Sequence, residues 1–381
     1  MSANCRKSTL ARALAVLAVA AGLAAPAPAA AAGVNWVVHG RGFGHGVGMS
    51  AYGAYGYAKH GKGYEFILDH YYSGIALGTL TGTRVVRVLL DISPGDVGFS
   101  GATSACGKPL APGQEYEASR AGSAVQLRDG AGRLVAACGR KLRAAGPGKV
   151  TIAGLGTYRG ALEVVPTRSQ RGSLNAINAL AVDAYVKGVI PNESPPSWPI
   201  AELKAQAVAS RSFALTADVE GNGFDLYSDT RSQVYKGLES ETARSNEAAE
   251  ATRGQVAESN GEIAETLFSA CSGGHTESIQ NVFGGPAVPY LQGVPDPYDY
   301  YCPLHTWTLH FSGPQISSRL AAHLDGRLQR VEVTKRGVSP RIVTAKLYGT
   351  GGVTTVSGTD LETALGAYDT WMSFEKVAGA G

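Results

Sequence analysis

The period of apolar and polar positions changes several times along this chain. From Asn35 to Val38 it is that of a short strand, which runs into a glycine-rich segment beginning at Gly40. Ser50 to Lys59 is small and aromatic and predicts a helix, and YEFILDHYY, from Tyr64, predicts a second short one. From Arg84 to Val165 the texture becomes β-branched: RVVRVLLDI, AVQLRD, RLVAACG, KVTIAG and ALEVV, separated by Gly, Pro and Asp. That is the pattern of antiparallel strands and turns. Ser173 to Val219 then reads as mainly helical, with one helix over Leu180–Gly188 closing near its glycine. Pro191, Pro195, Pro196 and Pro199 interrupt the next stretch, so PNESPPSWP predicts a stiff loop. Pro199 suits the first turn of a new helix reaching about Ala217, and another helix over 242–253 stops at Gly254. GQVAESNGEIAETLFSACSGG reads as a hairpin turning at Asn260–Gly261, and RVEVTKRG, RIVTAKLYG and GVTTVSG return to strands before a last helix at Asp360–Leu365.

Composition and charge narrow the class. The 381 residues are 44% hydrophobic and 17% charged, an ordinary globular balance. Arg6, Lys7 and Arg12 precede an apolar run and APAPAAAA, the layout of a secretory signal peptide over residues 1–32, too short for a comfortable membrane span. Without that leader the 34 Lys and Arg fall to 31, level with the 31 Asp and Glu, which argues against nucleic-acid binding by bulk charge. No later transmembrane segment is predicted. Cys106, Cys138, Cys271 and Cys302 remain, and an even number in an exported chain favours disulfides. The local pairings Cys106–Cys138 and Cys271–Cys302 are preferred among three connectivities.

The chemistry concentrates at few places. Glu193 is framed by prolines just before a helix, on which Lys204 and Arg211 lie seven residues apart and so share one face. A carboxylate above a basic stripe suggests acid–base work, against the plainer reading of a solvated loop acid. Seven glycines between Gly40 and Gly56 require the backbone to turn tightly or approach something closely. GVGMSA fits a dinucleotide fingerprint loosely, but Asp69 falls in a helix-like aromatic run instead of at a strand end. A catalytic metal drawn from His39, His45, His60 and His70 lacks the HExxH spacing.

LAVDAYVKGVIPNESPPSWPIAELKAQAVASRSFAL resembles the core signature of the SpoIID/LytB family, the sporulation stage II protein D and amidase-enhancer proteins. DTRSQVYKGLESET, TRGQV, SACSGGHTES and GHGVGMSAYGAYGYAKHGKGYEFILDHYYSG match further stretches. Two departures stand out: the glycine–histidine block precedes the core where the family has it afterwards, and Ala51 replaces a frequent Gln. The resemblance implies an α+β fold, a helical catalytic core packed with antiparallel β-rich segments around a substrate groove. It suggests a Gly/His/Tyr-rich groove block over 33–78, a β-rich subdomain over 79–168, the core with its Glu over 169–310, and a β-rich segment over 311–381 completing that core. It implies an exported peptidoglycan-active protein of the cell wall, a lytic transglycosylase cleaving between N-acetylmuramic acid and N-acetylglucosamine with a single acid/base. The alternative it leaves open is a non-catalytic wall-binding module that enhances a separate N-acetylmuramoyl-L-alanine amidase. Glu193 matches the catalytic glutamate; Lys204, Arg211, His45, Tyr52, Gln233, Tyr235, Ser272 and His275 are the expected substrate-binding residues. Glycan strands, with a cell-wall amidase as second candidate, are the expected partners. No cofactor is expected; a structural zinc at Cys271, His275 and Cys302 is the alternative to a disulfide there.

Overall fold

The computed structural model describes residues 34–217, 219 and 223–378, so the expected leader and Cys5 lie outside the described residues. The fold is α+β. Val85–Ser93, Leu174–Ala181, Ala161–Pro166 and Leu142–Ala145 form the middle of a seven-stranded sheet, antiparallel except where Leu226–Tyr227 joins Val85–Ser93 in parallel. A six-stranded sheet built from segments between 97 and 159 packs with it, and both share one core with Val88, Leu127, Leu162, Tyr185 and Leu203. Each such side chain contributes about 1.5–3 kcal/mol by leaving water.

Leu174–Ala181 corrects a sequence expectation: it is a strand where a helical pattern was expected. It is buried on both faces, so it shows no alternation, and its Leu/Ile/Ala spacing resembles a helix. The helix begins after it, as α3, Val182–Glu193. It does not stop at Gly188. That glycine is there because a Cβ would lie 2.6 Å from the ring of Tyr235. Nor do the prolines end it at once; α3 continues through Pro191 to Glu193. Helix α4, Ile200–Thr216, follows from Pro199 as expected, and α5 is Ala243–Ala251, capped by Thr242. The hairpin of Gln255–Ser259 and Glu262–Ile263 turns through Asn260 and Gly261 with φ of 53° and 80°, the twist that suits such a turn.

The glycine block divides. Val34–Gly40 is the middle strand of a three-stranded sheet between Trp307–Ser312 and Met372–Ala378. With the meander Leu328–Arg336, Ile342–Gly349 and Val353–Ser357 it encloses its own core of Trp36, Val38, Trp307, Ile316, Leu347 and Leu361. The C-terminal segment, expected to complete the central core, thus builds a second core around the N-terminal strand. Helices α1, Ala51–Lys59, and α2, Tyr64–Tyr71, instead pack on α4 through Ala54, Ile67, Leu68, Ala205 and Val208. Both preferred disulfides, Cys106–Cys138 and Cys271–Cys302, are formed. Among the described residues no helix is long and apolar enough to cross a membrane.

Between these two bodies run residues 41–50, and here the glycines find their reason. Gly46 and Gly48 both have φ of +71°. A Cβ on the first would stand 2.3 Å from the Arg341 guanidinium carbon, and one on the second 2.1 Å from the Leu267 carbonyl oxygen. The close approach is to the protein's own interior. Arg341 is buried, forks onto Asp369 at 2.9 and 2.6 Å, and donates to the carbonyls of His275 and Ser272 at 2.8 Å each.

Candidate functional site

Glu193 is the last residue of α3. Pro191 lacks an N–H, and the turn is held by substitutes: Asn192 Nδ2 donates to the Gly188 carbonyl at 2.8 Å and the Ser194 N–H closes on Ile190 at 2.8 Å. Glu193 Oε1 accepts one hydrogen bond, from the Val234 N–H at 2.8 Å. Burial pushes its pKa above the ordinary carboxylate value, and that single bond opposes the shift. Its place at a helix C-terminus adds a fixed partial negative charge that also disfavours ionisation.

Val234 is presented by its neighbours. The Tyr185 hydroxyl donates to Gln233 Oε1 at 3.0 Å, and the Tyr235 hydroxyl donates to Asn178 Oδ1 at 2.8 Å. Gln233 and Tyr235 are both buried. Their side chains therefore anchor the segment whose backbone meets Glu193, which corrects their expected role as substrate contacts.

Glu193 opens into a cleft of about 530 Å³ whose walls include Phe43, His45, Phe213, Phe268 and Phe283, with Thr230, Arg231 and Ser232 along it. His45 is the other expected site residue present there. Its Nδ1 accepts from the Val47 N–H at 3.0 Å, so the ring proton sits on Nε2. Burial lowers its pKa to about 4, opposed by a backbone hydrogen bond to Phe268 and reinforced by the charge of Arg341. It is a neutral donor at pH 7.

The basic stripe is absent from this cleft. Arg211 is fully buried, paired with Asp183 at 2.8 Å, and donates to the Ala207, Gln255 and Ala249 carbonyls. Lys204 points toward α2, its ammonium 5.8 Å from the Tyr64 ring centre. Helix α4 is buried nearly all round, so a shared face does not mean an exposed one. The cation along the cleft is Arg231, paired with Asp229 at 2.7 Å and stacked on Tyr227 at 3.7 Å. It lies in the stretch DTRSQVY, close to the expected contacts Gln233 and Tyr235.

The remaining expected contacts do not line this cleft. Tyr52 packs on Trp198, ring centres 4.9 Å apart. Ser272 is buried and its hydroxyl donates to Asp296 Oδ2 at 2.7 Å. His275 Nδ1 bonds the Thr276 carbonyl at 2.7 Å. The sulfurs of Cys271 and Cys302 are bonded to each other. Phe43, Phe213, Phe268 and Phe283 escape sequence reasoning because isolated aromatics carry no spacing signal.

Residues 170–258 match the family model SpoIID, described as Stage II sporulation protein; the span includes Glu193, Val234 and Arg231. An uncharacterized protein of Brachyspira hyodysenteriae is 41% identical over 140 residues, which is 36% of this chain and 37% of that protein. The amidase enhancer of Bacillus subtilis is 38% identical over 134 residues, 35% of this chain and 18% of the relative. Stage II sporulation protein D of the same organism is 27% identical over 213 residues, 51% of this chain and 61% of the relative. The chain thus covers less than two thirds of the length of each of these relatives.

Proposed function

Because the chain carries a SpoIID/LytB family domain, we propose that it is an exported cell-wall protein that cleaves peptidoglycan glycan strands as a lytic transglycosylase, with Glu193 as the single acid/base. The observation that carries this reading is the state of Glu193: one oxygen fixed by the Val234 N–H, a pKa raised by burial, and a cleft in front of it. In its protonated form, which burial favours, the carboxyl can give its proton to the glycosidic oxygen as the bond to the muramoyl C1 breaks. The carboxylate then takes the proton of the muramoyl C6 hydroxyl while that oxygen bonds to C1, closing a 1,6-anhydro ring and restoring the acid. No water attacks, so one carboxyl suffices where hydrolytic glycosidases use two. A cation directly beside a general acid would lower its pKa, and Arg211 does not do so, since it is engaged with Asp183. Arg231 is a donor along the cleft for sugar oxygens, and His45 stands in the wall with its Nε2–H engaged by the Phe268 backbone. The aromatic rings of Phe43 and Phe283, both exposed, offer faces for the pyranose rings.

Purified peptide-free glycan strands incubated with the protein should yield anhydro-muramoyl ends by mass spectrometry. Binding of strands without such ends would favour the second reading, a wall-binding module that assists an amidase. The 38% identity to a protein named amidase enhancer is what supports that alternative.

A further inference from the structure

A second cleft, of about 640 Å³, lies on the C-terminal body, where the chain leaves strand Val34–Gly40 and meets Arg336 and Trp371. Two guanidiniums stand in it. Arg41 is exposed, held 5.6 Å from the Trp371 ring centre, and among the described residues it has no side-chain hydrogen bond or ion pair. Arg336 donates to the carbonyl of Pro340 and, at 3.2 Å, to that of Met372. Burial lowers its pKa from the ordinary arginine value, and no carboxylate counters the shift. Glu375, beside the lining, contacts His39 instead, at 3.4 Å. Arg336, like Arg41, keeps an exposed side chain, so both guanidiniums face the open cleft with no carboxylate paired to either among the described residues. Here the anion is left for a ligand to supply, and a guanidinium fork suits a carboxylate. Thr308, whose hydroxyl meets His39 Nδ1 at 3.2 Å, and Ser373 line the cleft together with Trp371, so hydrogen-bonding groups and an apolar wall share it.

We infer that this cleft binds a carboxylate-bearing sugar, with Arg41 and Arg336 on the carboxylate, Thr308 and Ser373 on sugar hydroxyls and Trp371 against the ring. Arg41 precedes His45 by four residues, a chain reach of at most about 14 Å. One ligand strand can therefore approach both clefts. That the sugar is the muramoyl unit of a glycan strand, whose lactyl group carries the carboxylate, rests on the transglycosylase reading; that it is an acidic sugar does not.

The chain has four tryptophans, so full-length protein labelled with 5-fluorotryptophan gives a readable fluorine spectrum in which Trp371→Phe identifies the Trp371 resonance. N-acetylmuramic acid should shift that resonance saturably, with affinity about tenfold or more above N-acetylglucosamine, which lacks the carboxylate. Arg41→Gln and Arg336→Gln should each lower that affinity by about tenfold. Arg41 has no polar partner to lose, so its variant tests the site without threatening the fold. Equal binding of the two sugars, an equal response to inorganic phosphate, or no response at Trp371 overturns the inference. Incubating the unmutated protein with peptide-free glycan strands alongside the same titration separates the two readings. A shift at Trp371 in a protein that never cleaves strands keeps this site and removes the lytic activity, and cleavage without the shift does the reverse.

Discussion

Glu193 and Asp299 are both carboxylates withdrawn from water, and they are bonded in opposite ways. Asp299 is fully buried and accepts from the Ser50 hydroxyl, the Ser272 and Gly273 N–H groups and His305 Nδ1, all at 2.8–2.9 Å. Among the described residues Glu193 accepts from Val234 alone, and it faces a cleft. A carboxylate with its lone pairs taken is a structural clamp; Asp299 ties the start of α1 to the Cys271–His275 loop and to the segment around His305. A carboxyl with one anchored oxygen keeps its other oxygen for chemistry. The same contrast separates the two arginines of the interior from those of the clefts. Arg211 and Arg341 direct their donors to carboxylates and backbone carbonyls, whereas Arg231 keeps an exposed face and Arg41 keeps nearly all of its donors.

The largest effect should come from the under-bonded side. Glu193→Gln keeps the shape and removes the transferable proton, so anhydro-end formation should fall by roughly 10²–10⁴-fold or more. The thermal midpoint should stay near that of the wild type. Cleavage close to the wild-type rate would place the acid elsewhere and erase the distinction between the two carboxylates.

On the saturated side the effect should be on folding. Arg341→Met strands Asp369 without its partner and releases the carbonyls of Ser272 and His275. Breaking a buried pair in this way costs about 3–5 kcal/mol, read as a lower denaturant midpoint. Arg211→Ala should behave similarly. A variant of Arg211 that lost strand binding with unchanged stability would restore it to the groove.

Glu193 was legible in the sequence because a helix start, four nearby prolines and a motif-rich stretch single out its surroundings. The strands between 84 and 165, the hairpin at Asn260–Gly261 and the cysteine pairs were legible for the same reason: turn residues, alternation and loop closure act locally. Arg341 was not. It meets Gly46 across almost 300 positions, and no local pattern marks a residue whose partners come from the other end of the chain. Arg211 shows a different limit. Its spacing from Lys204 does place the two on one side of α4, but spacing cannot say which way a face turns when Leu203, Gln206, Ala207 and Ser210 are buried as well. Leu174–Ala181 was hidden as a strand for a related reason, since a segment enclosed on both faces has no polar positions to reveal its period.

The disulfide beside the Asp299 clamp offers a somewhat smaller test. Cys271 and Cys302 are 31 positions apart, and closing a loop of that size contributes about 3–4 kcal/mol in the chain-entropy picture. Replacing both by Ala should lower the denaturant midpoint while leaving some cleavage, because neither lines the cleft of Glu193. Thiol titration and elemental analysis of the purified protein should find these cysteines unreactive and no bound zinc. Two thiols that appear only on chelation, with stoichiometric zinc beforehand, would make the loop a metal site and would put His275 among its ligands.

The most gradual effect, smallest at any one step of pH, sharpens the comparison most, because Glu202 is a third kind of carboxyl. It is fully buried, accepts from the Ser194 hydroxyl at 2.6 Å through Oε1, and leaves Oε2 without a partner among the described residues. Like Glu193 it is under-bonded, but it does not line the cleft and has no ligand to protonate. Burial pushes its pKa to about 8, against the opposing Ser194 bond, from an ordinary value of 4.5. Between those two values the folded chain holds a proton that the unfolded chain has released. Stability should therefore fall as pH rises from about 4.5 to 8, by no more than about 1.4 kcal/mol per pH unit from this group, and level off above. Glu202→Gln has no proton to lose, so its denaturant midpoint should match the wild type near pH 5 and lie progressively above it toward pH 8. Because Ser194 follows Glu193 directly, the destabilisation that an uncompensated charge on buried Glu202 brings to this neighbourhood should also lower cleavage at the alkaline end, and Glu202→Gln should widen that limb. Parallel stability curves for the two proteins would mean that Glu202 ionises freely in the folded state, and under-bonding alone would then not be enough to keep a carboxyl protonated beside Glu193.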